Sequence, residues 1–307
     1  MSRTNYFAVS LARRKWERLR WVLAQARRDL SNDISWQLGG KRHFAQTWQQ
    51  TATAHTWVFI VGCNNSGTSL LNALFAKSGL VSTMREEGQY NTRALLRMPL
   101  RGHERVWTEV LDRLEADAAE LPQRMPRLLH DWMRFFTRPL HPVLVEKTPP
   151  NMARMPALDQ LLDCRFIALV RDGFAVCEGI RRKAGKDLER AARHWDASCR
   201  LLLQHQTQVK HLHIVRYEDL TGQPEQTLAK LADFLELPPQ PLQAASREKF
   251  NVGRTVAGTG AENITDYNAP SLQRLSDQDR ETILRHAGDM LHHFGYLPER
   301  KTDTDQP

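Results

Sequence analysis

This 307-residue chain holds no apolar run of the ~20 residues needed to cross a bilayer. Near the N-terminus every apolar segment is broken by Arg or Lys, so no secretory leader is expected there either. Cysteine is scarce. Cys63, Cys164, Cys177 and Cys199 form no C-x-x-C pair, which argues against a disulfide framework and for reduced thiols in a cytoplasmic protein. His211 with His213, and His292 with His293, lack metal-site spacing, so no metal is expected. A further absence is local. In "VFIVGCNNSGTSLLNALF", Gly62, Gly67 and Ser69 fit the G-x-x-x-x-G-x-[ST] spacing of a phosphate loop, but Thr68 stands where a nucleotide hydrolase keeps its lysine. No strand ends in a lone carboxylate suited to Mg²⁺; Asp172 directly follows Arg171.

What is present is an ordinary globular composition with 41% hydrophobic and 25% charged residues, enough for a core. The net charge of +8 is concentrated at one end: residues 1–30 hold eight Lys/Arg against Glu17 and Asp29. Leu19, Val22, Leu23, Ala26 and Leu30 recur there at helical spacing, which predicts a basic amphipathic helix. Two kinds of role stay open for it, a helix packed on the domain with a solvated basic face, or contact with an anionic membrane surface or an acidic acceptor. No nucleic-acid partner is expected.

After a polar connector at 31–55, apolar β-rich runs at Trp57–Val61, Pro142–Val145, Arg165–Val170 and within "HLHIVRYEDL" alternate with helical patterns. A largely helical insertion at 87–141 includes "NTRALLRM", 105–119 and 127–136, divided by Pro99, Pro122 and Pro126. The alternation predicts an α/β fold, a parallel sheet with helices on both faces, as one domain over 55–298 with a polar tail at 299–307. In such sheets ligands sit beyond the C-terminal strand ends. Four strands deliver polar groups there: the loop after Val61, Glu146 with Lys147, Arg171, and Tyr217 with Glu218. Small loop residues and a helix N-terminus suit an anion. Without lysine or metal carboxylate, a singly charged sulfonyl group suits the loop better than a phosphoryl group.

These motifs together resemble the sulfotransferases that use 3′-phosphoadenosine 5′-phosphosulfate (PAPS) and release adenosine 3′,5′-bisphosphate (PAP). "GCNNSGTSLL" is similar to their 5′-phosphosulfate loop and "RFIALVRDGFAVCEGIRRK" to their 3′-phosphate segment, with "EKTPPN" and "VRYEDL" in the same order. The likeness runs over about 57–297 and is nearest to the tyrosylprotein sulfotransferase branch. It implies a P-loop-like sulfotransferase fold and sulfonyl transfer to a hydroxyl of a peptide, carbohydrate, lipid or small molecule. It implies cofactor contacts from Asn65, Ser66, Gly67, Thr68, Ser69, Arg171, Gly179, Arg182 or Lys183, Tyr217, Asn268 and Arg274, with a segment at 259–268 closing over the nucleotide. Lys147 would steady the departing phosphate oxygen, and Glu86, or its neighbour Glu87, would be the base.

Simpler roles exist for these residues: a solvated loop for Glu86 and Glu87, an ion pair for Glu146 with Lys147, a salt bridge for Arg171 with Asp172, a core tyrosine for Tyr217. The chain also departs from the family pattern. Asn65 replaces a basic residue before Ser-Gly-Thr, Gly179 replaces a serine eight residues after Arg171, and Phe174 stands at a commonly basic position. Those losses leave a catalytically weak or inert nucleotide-binding relative as an alternative, with a kinase a more distant one.

Overall fold

The structure, a computed structural model, describes residues 3–84, 86–98, 102–103, 105–250 and 263–298. Its centre is a five-stranded parallel sheet: β1 (Thr56–Gly62), β2 (Ser82–Thr83), β3 (Val143–Lys147), β4 (Cys164–Val170) and β5 (Leu212–Arg216), in the order β2-β3-β1-β4-β5. The expected strands are present, and β2 is an addition too short to leave a periodic signal. The helices are α1 (Arg3–Ser35), α2 (Lys41–Thr53), α3 (Thr68–Ser78), α4 (Leu111–Ala119), α5 (Leu121–Trp132), α6 (Met155–Leu161) and α7 (Gly173–Ala184). They continue as α8 (Leu188–Gln206), α9 (Tyr217–Gly222), α10 (Pro224–Phe234), α11 (Pro239–Ala245), α12 (Asn268–Leu272) and α13 (Asp277–His293).

Side-chain alternation along the strands builds two cores. Trp57, Phe59 and Val61 of β1, with Phe166, Ala168 and Val170 of β4, face one layer formed by α5, α6, α7, α8 and α13. Val58 and Ile60, with Ile167 and Leu169, face the other, closed by α3, α10 and α11. Burial on both sides explains why β1 and β4 read as continuous apolar runs. The register aligns the strand ends. Ile60 pairs with Lys147, Gly62 with Leu169, and Val170 with Arg216, so the polar groups after the strands share one rim.

Three expectations need correction. Residues 31–55 are mostly helix rather than connector: α1 runs to Ser35, and a kinked turn at Trp36–Gly40, with Gly39 at φ +149°, leads into α2. "NTRALLRM" is irregular. Its Arg97 side chain turns inward to donate to the carbonyls of Gln89 and Thr92, and those bonds hold the segment in turns instead of a helix. Pro126 lies inside α5 and does not end it, because only one N–H is lost early in a helix whose apolar face is deeply buried.

The face of α1 against the domain is polar. Asp29 receives a two-pronged pairing from Arg97 at 2.7 and 2.6 Å, with both side chains buried. Burial raises the Asp29 carboxyl, but Arg97 and Arg93 outweigh it and leave its pKa below the ordinary range. Asn32 donates to the Asn91 carbonyl at 2.7 Å and Gln25 to that of Tyr90 at 2.5 Å. Replacing Asp29→Ala would leave Arg97 buried without its counter-charge, which costs about 3–5 kcal/mol. Denaturant titration should show a clearly lower unfolding midpoint; an unchanged midpoint would mean that α1 does not dock in this way.

Candidate functional site

The loop between β1 and α3 depends on two backbone positions. Asn65 has φ +69° and Gly67 φ +102°, left-handed conformations that turn the chain back on itself before α3. Gly67 also lies under an aromatic ring: a Cβ there would approach Tyr217 Cδ2 to 2.7 Å. Ser66 is fully buried and donates to the Cys63 carbonyl at 2.7 Å. Thr68 is buried at the start of α3, and Ser69 is exposed. The turn therefore presents the N-terminus of α3 toward the rim, a position that favours an anion.

Arg171, at the end of β4, fastens this loop to two other elements. Its Nη1 donates to the Asn65 carbonyl at 2.9 Å and its Nε to Asn268 Oδ1 at 2.7 Å, while the guanidinium lies 4.2 Å from the Tyr217 ring centroid. Asn268 Nδ2 and the Asp172 N–H donate to Glu218 Oε1 at 2.7 and 3.0 Å. Tyr217 accepts from the Tyr267 N–H at 3.2 Å and donates to the Thr265 carbonyl at 3.1 Å, holding the segment from 263 onward against the end of β5. The part of the expected nucleotide-covering loop at 259–262 lies outside the described residues. Asp172 is no partner of Arg171 in an ion pair. It caps α7, accepting from the Phe174 and Ala175 N–H groups at 2.8 and 3.3 Å.

Two of the three departures from the family pattern, Asn65 and Gly179, lie near one another. Asn65 Oδ1 accepts from Arg105 Nη1 at 2.8 Å and Lys183 Nζ at 3.3 Å. Two cations thus converge where the loop has lost one. Asn65 Nδ2 is buried and has no hydrogen-bond partner, and a Cβ on Gly179 would lie 3.5 Å from it. The serine hydroxyl missing at 179 would have faced this amide. Phe174 supplies no charge and is buried in the core, with Arg280 over its ring at 5.8 Å. Desolvation, together with the charges of Arg105, Arg182 and Arg171, lowers the Lys183 ammonium to about 8. Arg182 turns to Glu178, donating at 2.8 Å, and Arg274 approaches the same buried carboxylate at 3.9 Å. Glu178 is the carboxylate amid this cluster of cations.

On the other side of the loop, Lys147 Nζ donates to Glu87 Oε1 at 2.8 Å, and Glu87 Oε2 accepts from Gln89 Nε2 at 2.7 Å. Both members of this pair are mostly buried. Glu86 is elsewhere, in an ion pair with Arg28 of α1 at 2.9 Å. The structure thus brings Glu87, and not Glu86, to Lys147. Glu146 is not Lys147's partner. It is fully buried and accepts from the Gly88 N–H at 2.7 Å, Asn151 Nδ2 at 2.8 Å and the Thr148 hydroxyl. Desolvation raises its carboxyl to about 7, and these bonds hold the backbone immediately after Glu87 in place.

Arg105 was invisible to motif reasoning. It lies 40 residues from Asn65, inside "RGHERVW", where nothing marks it off from neighbouring basic residues. Among the described residues no cluster of three or more His, Cys, Asp or Glu is placed to hold a metal.

Residues 58–241 match the model of the sulfotransferase family. Among solved structures, the chain is similar to the sulfotransferase domain of the Synechococcus PCC 7002 olefin synthase, with 21% identity over 80% of this chain and 97% of that one and a TM-score of 0.50. It is similar also to sulfotransferase STF9 of Mycobacterium avium, with 11% identity over 82% and 80% of the two chains and a TM-score of 0.53. Retinol dehydratase, solved with retinol and PAP, matches at 14% identity over 87% and 88% with a TM-score of 0.41. Among curated proteins no sequence matches. The first two likenesses establish the fold, a parallel sheet flanked by helices, and the match over more than half of the sequence makes the chain a member of the sulfotransferase family.

Proposed function

We propose that the chain transfers a sulfonyl group from PAPS to a hydroxyl of an acceptor, without a metal, using Glu87 as base and Lys147 as the cation at the departing oxygen. The observation that carries this reading is the 2.8 Å pair between Lys147 and Glu87 at the rim that also bears the anion-binding loop. Glu87, held in place through Gly88 and Gln89, takes the proton of the acceptor hydroxyl as that oxygen attacks sulfur. The bond from sulfur to the phosphate oxygen breaks, and Lys147, released from Glu87 as the carboxylate is neutralised, stabilises the charge left on that oxygen. The loop N–H groups, Ser66, Thr68 and Ser69 hold the 5′-phosphosulfate. Arg171, Lys183 and Arg105 face the 3′-phosphate, with Asn65 and Gly179 between them. The unpartnered Asn65 Nδ2 is a donor left for such a ligand. Two forked guanidiniums and an ammonium suit a doubly charged phosphate.

Removing either member of the pair should leave PAP binding intact and cut transfer of labelled sulfate by roughly a hundredfold or more. Lys147→Ala and Glu87→Gln are the variants, with calorimetry for binding and a radiolabel assay for turnover. Full turnover in Glu87→Gln together with its loss in Glu86→Gln would move the base to Glu86. PAP binding without turnover in the unaltered protein would favour the inert relative that Asn65 and Gly179 also suggest.

The cation cluster gives a pH dependence with a definite sign. An anion favours charged Lys183, whose pKa without ligand is about 8, so binding above that value must be accompanied by proton uptake. PAP affinity should therefore fall between about pH 7 and about pH 9. Lys183→Arg should remove the fall, because a guanidinium stays charged throughout. A flat profile in the parent chain would exclude Lys183 from the site.

Gly179→Ser restores a hydroxyl beside Asn65 Nδ2, and the 3.5 Å approach of its Cβ is ordinary contact. One added hydrogen bond should tighten PAP binding by about threefold to tenfold in calorimetry. Weaker binding would show that the ligand does not approach this edge of α7.

A further inference from the structure

The described part of α1 is amphipathic in an inverted sense. The face on the domain buries Gln25, Asp29 and Asn32, while Trp16, Leu19, Leu23, Leu30, Ile34 and Leu38 point outward, 47% to 84% exposed. These six recur every three, four or seven residues, so they form one stripe along the helix and across the kink. An exposed apolar stripe of this length, with Arg20 and Arg27 set into it, marks an interaction site.

The charges within and around the stripe indicate what it meets. Arg20 and Arg27 on α1, and Lys41 and Arg42 at the start of α2, are exposed. Among the described side chains of α1, the acids are engaged inward: Asp29 with Arg97 and Arg93, Asp33 with Arg93 and Arg127. At the kink an open groove of about 640 Å³ is lined by Leu30, Ile34 and Leu38 together with Arg27 and Arg134. Apolar side chains flanked by cations match a bilayer interface, with acyl chains below and phosphates alongside. A second copy of the chain fits less well, since two-fold pairing of this stripe would set its cations against one another. No helix among the described residues is long and apolar enough to cross a membrane, so the contact is with a surface.

We propose that the outer face of α1 seats this chain on an anionic lipid surface, with Leu23, Leu30 and Ile34 entering the interface and Arg20, Arg27 and Arg134 meeting headgroup phosphates. The same helix holds the segment carrying Glu87, through Arg28 on Glu86 and Gln25 on the Tyr90 carbonyl. A docked bilayer would then lie beside the acceptor side of the candidate site. The docking itself does not depend on the proposed chemistry.

Flotation of the full chain with vesicles of phosphatidylcholine containing phosphatidylglycerol, against phosphatidylcholine alone, tests this. The anionic vesicles should carry the chain upward, and raised salt should release part of it. The combined variant Leu23→Gln/Leu30→Gln/Ile34→Gln changes only exposed side chains and should bind at least about tenfold more weakly, with unchanged circular dichroism. Arg20→Gln/Arg27→Gln should weaken binding to anionic vesicles as well. The proposal falls if the chain stays in the lipid-free fractions, or if both variants float like the parent. It falls equally if light scattering shows a dimer that the apolar variant dissociates while vesicles bind neither protein.

Discussion

One guanidinium holds the loop in its working shape. Arg171 reaches from the end of β4 to the Asn65 carbonyl and to Asn268, and lies on the Tyr217 ring. Tyr217 closes the circuit, since its ring packs where a Cβ on Gly67 would be. The left-handed turn at Asn65 and Gly67, the end of β5 and the segment from 263 onward are thus fixed against one another by a single buried cation. Arg171 makes no direct ion pair among the described residues; Glu218 reaches it only through Asn268, and Asp172 acts on it without a direct contact. A buried guanidinium without a counter-charge in direct contact favours an anion beside it. On the proposed reading that anion is the 3′-phosphate.

The loss of a basic residue in the loop is then answered by the rest of the fold. A lysine or arginine at 65 would bring its charge on a side chain of its own. Asn65 instead offers an amide oxygen, to which Arg105 and Lys183 donate from separate segments. Burial, together with cations gathered from three parts of the chain, depresses Lys183, and Glu178 partly offsets them. Such a cluster favours an anion with more than one charge. On the Lys147 side the logic is reversed: a carboxylate, Glu87, pairs directly with the lysine.

Much of this was legible in the sequence, for identifiable reasons. β1 and β4 are buried on both faces and therefore read as plain apolar runs, and the polar residues that follow them mark the rim. β2, two residues long, left no such trace. The loop glycine at 67 could be read from spacing alone, but the reason for it, the Tyr217 ring, is a tertiary fact. Glu86 and Glu87 are adjacent in "MREEGQ", and no local signal tells them apart; the difference is made by α1, whose Arg28 takes one and leaves the other to Lys147. The helices over 31–55 leave a weak pattern: the end of α1 turns polar Asn32 inward, and α2 meets the core through only Phe44, Trp48 and Ala52 among polar residues. Arg105 could not have been found without the fold.

The central claim is that one pocket receives both a 5′-phosphosulfate and a second phosphate on the ribose. Competition binding without Mg²⁺ tests it most directly, with PAP and ATP displacing a fluorescent bisphosphate nucleotide from the full chain. PAP should displace the probe at concentrations at least about a hundredfold below those ATP requires. Equal potency of the two nucleotides would contradict it.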